Sequence, residues 1–256
     1  MSSYIFDTHS HYDDKAFDSD RDEILGGLFA KGIGKVVDVG ADMPSSKMAL
    51  ELAKQYEFVY AALGVHPSEV EGLTEDDMAW ISSHAAHEKV AAIGEIGLDY
   101  HWPEPKPALQ KQWFRRQIEL AKEVKLPIIV HSRDAAEPTM QIIQETKAYE
   151  CGGVIHCYSY SPEMAEEYVK MGFFIGMGGV LTFKNAKKLV RCAERIPLSS
   201  IVLETDCPYM APEPNRGKRN DSSQLIYVAQ KLAEIKGITA EEVKQVTTEN
   251  AHRLYR

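Results

Sequence analysis

The step His9-Ser10-His11 sets two imidazoles at a spacing of two. In extended backbone alternate side chains share a face, so both rings point to one place, and Asp7 has the same parity. Two protonated imidazoles side by side repel, whereas a cation stabilises both neutral rings at once. One H-x-H step is a weak signal. It gains weight from Glu95 in "GEIGLDYHW", His131 in "PIIVHSRDAAE", His156 at the end of "GGVIH" and Asp206 in "VLETDCP", each at the end of its own short apolar run. Four histidines and two carboxylates exceed the needs of one open catalytic zinc, which takes three protein ligands plus water. They suit two divalent cations roughly 3.5–4 Å apart, which clamp the attacking and leaving oxygens of a displacement. One ion falls to His9, His11 and Asp206, the other to His131 and His156, and Glu95 bridges them. Such mixed donors accept zinc, manganese or nickel, while magnesium prefers oxygen.

Glu204 precedes Asp206 by two residues. In a regular strand both carboxylates point inward. Asp206 is then nearer the mouth, the better ligand and the better base toward an attacking water. Glu204 lies one layer deeper, where it can orient a ligand histidine. Both are assigned catalytic roles. Cys157 and Cys207 have the opposite parity to His156 and Asp206 and are expected to face the helices. His66, in "GVHPSE", is read as supporting a ligand or facing substrate, with a structural role in its loop as the alternative. Phosphate contacts are expected from Arg133 in "HSRD", Lys184 in "TFKN", and Arg216 and Arg219 in "NRGKRN". His101 is a weaker candidate for touching substrate. His84 and His87 are expected to be solvated, and His252 to be structural.

These residues need a frame that gathers the ends of several strands. Nearly continuous apolar runs mark strands over Tyr4–Thr8, Lys35–Gly40, Val59–Val65, Val90–Glu95, Pro127–His131, Gly153–Cys157, Phe173–Met177 and Ile201–Asp206. Such runs fit parallel strands buried on both faces. Amphipathic stretches lie between them. "SSKMALELAKQYE" opens on candidate serine caps, and "TEDDMAWISSHAAHE" opens on Thr74 and Asp77, a capping-box spacing. The longest, "KPALQKQWFRRQIELAKEVK", carries a core stripe of Leu109, Trp113, Ile118, Leu120, Ala121 and Val124. Eight strand–helix units in 256 residues predict an α/β fold, a (β/α)8 TIM barrel forming a single domain over 1–256. A doubly wound open sheet is the rival, but no G-x-G-x-x-G follows the first strand to mark its switch point.

The chain is 44% hydrophobic and 26% charged, an ordinary globular composition. Its formal net charge of -9 argues against non-specific coating of nucleic acid, though not against a local basic rim that grips a few phosphates. The four cysteines form no C-x-x-C pair and read as reduced thiols. No signal peptide or membrane span is visible, so a cytoplasmic location is expected.

"FDTHSHYDD", "GEIGLDYHW", "PIIVHSRDAAE" and "IVLETDCP" resemble the TatD family of metal-dependent deoxyribonucleases, a branch of the amidohydrolase-like barrels, with further support from "GVHP", "TFKNAKK", "NRGKRN" and "TTENAHRLY". The resemblance spans essentially the whole chain. Two departures are Tyr12 where the family often has leucine or phenylalanine, and Asp221-Ser222 where it often has a proline. The resemblance implies divalent-metal-dependent hydrolysis of phosphodiester bonds in DNA, often exonucleolytic from a 3′ end. It places the metal motifs on His9, His11, Glu95, His131, His156 and Asp206. The expected partner is DNA, single-stranded or at 3′ ends, with no membrane. The alternative keeps the two-metal site and changes the substrate to an amide, a lactone or an ester such as an aminoacyl-tRNA.

Overall fold

A computed structural model describes residues 4–255. The expected domain limits at residues 1 and 256 lie outside the described residues. Eight strands are formed: β1 (Ile5–Ser10), β2 (Ile33–Val39), β3 (Val59–Leu63), β4 (Val90–Asp99), β5 (Ile128–Arg133), β6 (Gly153–Ile155), β7 (Phe174–Met177) and β8 (Ile201–Leu203). They stand in one sheet in chain order, and a parallel bridge from Ser10 to Cys207 joins the end of β1 to the chain just past β8. Consecutive strands joined through helices, with the last beside the first, define a (β/α)8 barrel. Among the described residues no helix is long and apolar enough to cross a membrane.

The strand expectations hold in number and order and shift at their ends. β4 and β5 run past Glu95 and His131 to Asp99 and Arg133. β6 and β8 stop before His156 and Glu204. Asp206 (φ 57°) and Cys157 (φ 45°) adopt left-handed backbone, so strand parity does not extend to either. The sequence also hid a helix, Arg21–Gly27, between β1 and β2. Seven residues with one fully buried apolar side chain, Leu25, offer no periodicity to read.

Two compact units are distinguished, one of residues up to Val37 with Cys157–Leu254, the other Asp38–His156. In the second, β4 pairs in parallel with β3 and β5 and is buried along its whole length. Its register against β5 slips between Ile93 and Ile96, where three steps on β4 face two on β5. This bulge re-aims the intervening side chains, Glu95 among them, and the Glu95 N–H reaches across to the Gly40 carbonyl at 3.0 Å. Helix Met43–Gln55 begins ahead of its serines. Asp42 is the cap, and Ser45 closes a capping box with it. Thr74 and Asp77 cap helix Glu75–His84 as the spacing predicts. Helix Pro107–Val124 buries Trp113, Phe114, Ile118, Leu120 and Ala121, and with them two glutamines, Gln110 and Gln117.

In the first unit, helix Ala240–Leu254 packs on β1 and β8. Its buried Asn250 donates to the carbonyls of Leu198 (2.8 Å) and Ile201 (2.6 Å), satisfying backbone at the entry to β8. His252 lies against Tyr4 and Phe6, a structural role, and desolvation holds its imidazole below the usual range.

Gly97 pairs with His131 across β4 and β5 at φ 149°, and a Cβ there would lie 1.9 Å from the His131 carbonyl oxygen. Backbone cannot retreat as a flexible side chain can. Gly97→Ala is expected to lower stability by about 3 kcal/mol or more, read as a lower urea midpoint.

Candidate metal centre

β1 brings His9 to its carboxyl end, and His11 follows one residue beyond it. The two Nε2 atoms face each other at 3.1 Å, and Asp206 Oδ1 stands 3.8 Å from the first and 3.4 Å from the second. The point equidistant from this triangle lies about 2.0 Å from each atom, within the ~2.0–2.2 Å of zinc–imidazole and zinc–carboxylate bonds. The donor set therefore fits a divalent cation. His9 is fully buried and His11 nearly so. Cys157 also offers a ligand atom within 4.8 Å of Asp206, unlike the helix-facing orientation expected for it, because its left-handed backbone breaks the parity.

A buried carboxylate holds this triangle. Asp7 Oδ2 accepts from Ser222 Oγ and Thr205 Oγ1, both at 2.6 Å, and Oδ1 accepts the N–H groups of Thr205 (3.0 Å) and His9 (3.3 Å). Burial pushes the Asp7 carboxyl up to about 7 against the opposing pull of these donors. The Asp206 N–H donates to the His9 carbonyl at 2.9 Å, and the His11 N–H donates to the Cys207 carbonyl at 2.8 Å. Thus the segment past β8 is laced to the histidine step by backbone. Tyr12, the departure from the family's usual residue, is fully buried and bonds Ser222 at 2.8 Å, so its phenol joins the same network.

Glu204 is buried but is not on a strand. Its Oε1 accepts the Cys157 N–H at 2.6 Å, so it holds the turn that follows His156. The carboxylate lies over Gly176, where a Cβ would meet Oε2 at 2.3 Å.

In the second unit Glu95 Oε1 receives two imidazoles, His131 Nδ1 at 2.8 Å and His156 Nε2 at 3.6 Å. The other nitrogen of His131, Nε2, faces Asp99 Oδ2 at 3.1 Å. Burial pulls the His131 pKa down, but hydrogen bonds to Asp99 and Glu95 outweigh it and the net shift is upward. Burial acts in the opposite sense on Asp99, where bonds from His131 and the His101 N–H leave the carboxyl below its ordinary value. Ligand-capable atoms of His66, Asp99 and His131 all lie within 4.8 Å of one another. The Ser68 N–H donates to His66 Nδ1 at 3.1 Å, which leaves the proton on Nε2 and makes that atom a hydrogen-bond donor. Asp99 is the residue that reasoning from metal-type side chains passed over. Its signal was its place in "GEIGLDYHW", four residues beyond Glu95.

The basic residues are placed unequally. Arg133 and Lys184 are exposed. Arg216 lies over the Phe183 ring at 4.2 Å. Arg219 is engaged by both Asp20 oxygens (2.9 and 2.5 Å) and the Ala16 carbonyl, and stacks on Phe17, so it braces a loop. His101 is exposed beside Asp134. His87 is exposed, whereas His84 stacks on Trp80 at 4.1 Å rather than standing free in solvent.

In a (β/α)8 barrel the active site sits at the carboxyl ends of the strands, and it is toward those ends that His9, Glu95 and His131 stand. The sequence profile of TatD related DNase matches residues 6–256. An uncharacterized metal-dependent hydrolase of Bacillus subtilis, YabD, is 48% identical over 98% of this chain and 99% of its own length. YcfH of Escherichia coli, described in the same words, is 35% identical over 98% of this chain and 96% of its own. The crystal structure of YjjV, a TatD homolog from Escherichia coli, superposes with a TM-score of 0.93 at 32% identity, covering 100% of this chain and 99% of that one. The chain belongs to the TatD family, and its class is the TatD-type metal-dependent hydrolase.

Gly176→Ala is expected to push the Glu204 carboxylate off the Cys157 amide. The measurement is metal content after dialysis, which should fall below that of the wild type in a variant that still folds by circular dichroism.

Proposed function

We propose that this chain hydrolyses phosphodiester bonds in DNA, trimming single strands from a 3′ end with two divalent cations. The reading is carried by the convergence of His9 Nε2, His11 Nε2 and Asp206 Oδ1 on one point at bonding distance from all three. We assign that point to one ion. We assign the second to His131 and His156, with Glu95, which already receives both imidazoles, as the bridging carboxylate. The (β/α)8 order supports this, since the carboxyl ends of all eight strands share one face in such a barrel.

When bound, such a pair of cations neutralises charge growing on phosphoryl oxygens and lowers the pKa of water from roughly 15.7 to about 7. The protein's own residues supply the rest. Asp206 takes the proton of the attacking water. Glu204 holds the turn after His156 in place through the Cys157 amide. His66, with its proton fixed on Nε2, donates to a phosphoryl oxygen. Arg133, exposed at the end of β5, and Lys184, exposed after β7, take the flanking phosphates, and Arg216, over Phe183, does the same. A rim of few cations on a chain of net charge -9 suits a short end rather than a long duplex. The four cysteines, read as reduced thiols, fit a reducing compartment, and we place the chain in the cytoplasm.

Purified protein incubated with end-labelled single-stranded DNA is expected to release nucleotides from the 3′ end. Chelation should abolish the release, and zinc, manganese, nickel or magnesium should restore it to differing degrees. His9→Ala and His131→Ala should each cut the rate by more than about 100-fold, beyond what outer-shell losses produce. Metal-replete protein that leaves DNA intact yet turns over an amide, a lactone or an aminoacyl ester would overturn the reading.

Rim cations separate by their partners. Arg133→Ala should raise KM for DNA with kcat little changed. Arg219→Ala should leave KM alone and lower the melting temperature slightly.

A further inference from the structure

Helix Pro107–Val124 presents two fully buried glutamines seven residues apart, on one face among its apolar side chains. Each meets both the N–H and the C=O of one residue on the sheet side. Gln110 Oε1 accepts the Asp99 N–H at 2.8 Å, and its Nε2 donates to the Asp99 carbonyl at 2.8 Å and to the Pro105 carbonyl at 2.8 Å. Gln117 Oε1 accepts the Val65 N–H at 2.8 Å, and its Nε2 donates to the Val65 carbonyl at 3.0 Å. Val65 directly precedes His66. The two clamps therefore fix the backbone under the two residues that meet at His131. A buried amide with all its polar groups satisfied is a rigid support, and one left unsatisfied is costly, so such residues hold backbone to a single geometry.

We propose that Gln110 and Asp99 form a positioning arm that fixes the tautomer and orientation of His131 for its ion. The inference rests on the two-metal reading above. Asp99 has no spare oxygen: Oδ1 accepts the His101 N–H at 2.9 Å, and Oδ2 faces His131 Nε2 at 3.1 Å. A carboxylate can only accept, so His131 carries its proton on Nε2 and turns Nδ1 toward Glu95, free to bind a cation once its own proton leaves. The backbone clamp of Gln110 keeps the Asp99 carboxylate at that height on β4. An amide in place of Asp99 changes this. With its oxygen held by the His101 N–H, its NH2 group faces His131 Nε2, which must then accept. The proton moves to Nδ1, the ligand atom, and that nitrogen is lost to metal.

The test is Zn2+ titration of chelator-stripped protein against a chromophoric competitor, with zinc counted per chain, for wild type, Asp99→Asn and Gln110→Leu. Wild type should hold two ions. Asp99→Asn should weaken one of them by 10- to 100-fold, the range for removal of a ligand's carboxylate partner. The ion lost should be the one that His131→Ala also removes, and the one removed by His11→Ala should remain. Gln110→Leu should weaken the same ion by less, with the metal-free melting temperature reported separately. If Gln110→Leu does not fold, Asp99→Asn, nearly isosteric, decides alone. Wild type holding fewer than two ions would sink the two-metal reading itself. Wild type holding two ions while Asp99→Asn binds both unchanged, or loses both equally, would overturn the positioning arm alone.

Discussion

Two imidazole nitrogens stand 3.1 Å apart on buried rings, with a carboxylate oxygen 3.4 to 3.8 Å from them, and how these three atoms share protons or a cation governs the site. Both rings protonated would repel at close range, and both neutral would set lone pair against lone pair or spend a proton between them. A divalent cation resolves the conflict with one charge. The rest of the first unit is arranged so that these atoms cannot drift apart to relieve it. Asp7 gathers two hydroxyls and two backbone N–H groups onto one carboxylate, and backbone bonds from Asp206 and His11 lace the segment beyond β8 to β1. The two imidazoles and the carboxylate are thus held in place by a network of buried hydrogen bonds, which is what pre-formed metal sites require.

The two histidine clusters are held by different means. Around His9 and His11 the support is a buried carboxylate that collects donors. Around His131 it is a pair of carboxylates on one imidazole, Glu95 at Nδ1 and Asp99 at Nε2. The first arrangement fixes position through the backbone of β1. The second fixes a proton, and with it which nitrogen can act as ligand. A bulge in β4 makes the second possible, because without the extra residue Glu95 and Asp99 would not sit as they do along the His131 ring.

The fold was legible because parallel strands buried on both faces must be written as apolar runs, and eight such runs stand out between amphipathic stretches. The ligand candidates were legible because histidine and carboxylate at strand ends are chemically conspicuous. What was not legible lay where backbone departs from regular strand. Parity placed Glu204 and Asp206 together on one inward face, yet β8 ends at Leu203 and Asp206 turns left-handed. Cys157 escaped its expected face for the same reason. Arg219 read as a phosphate contact because nothing in "NRGKRN" announces Asp20, nearly two hundred residues away in sequence. Helix Arg21–Gly27 is too short for a period to show.

Gln110 and Gln117 show the deeper limit of pattern reading. On the longest helix Trp113, Ile118, Leu120 and Ala121 of the expected stripe are buried and Leu109 and Val124 only partly so, while the buried glutamines were not part of the expected stripe. Burying two amides in a core is unfavourable unless every donor and acceptor is met, and here each meets one residue's N–H and C=O together. An aliphatic residue at either place would pack as well and leave a backbone pair unsatisfied. The helix therefore does more than cover the sheet. It fixes the height of Asp99 and Val65, and through them of His131 and His66, so the geometry of chemistry at the strand ends is set by polar contacts in the layer behind them.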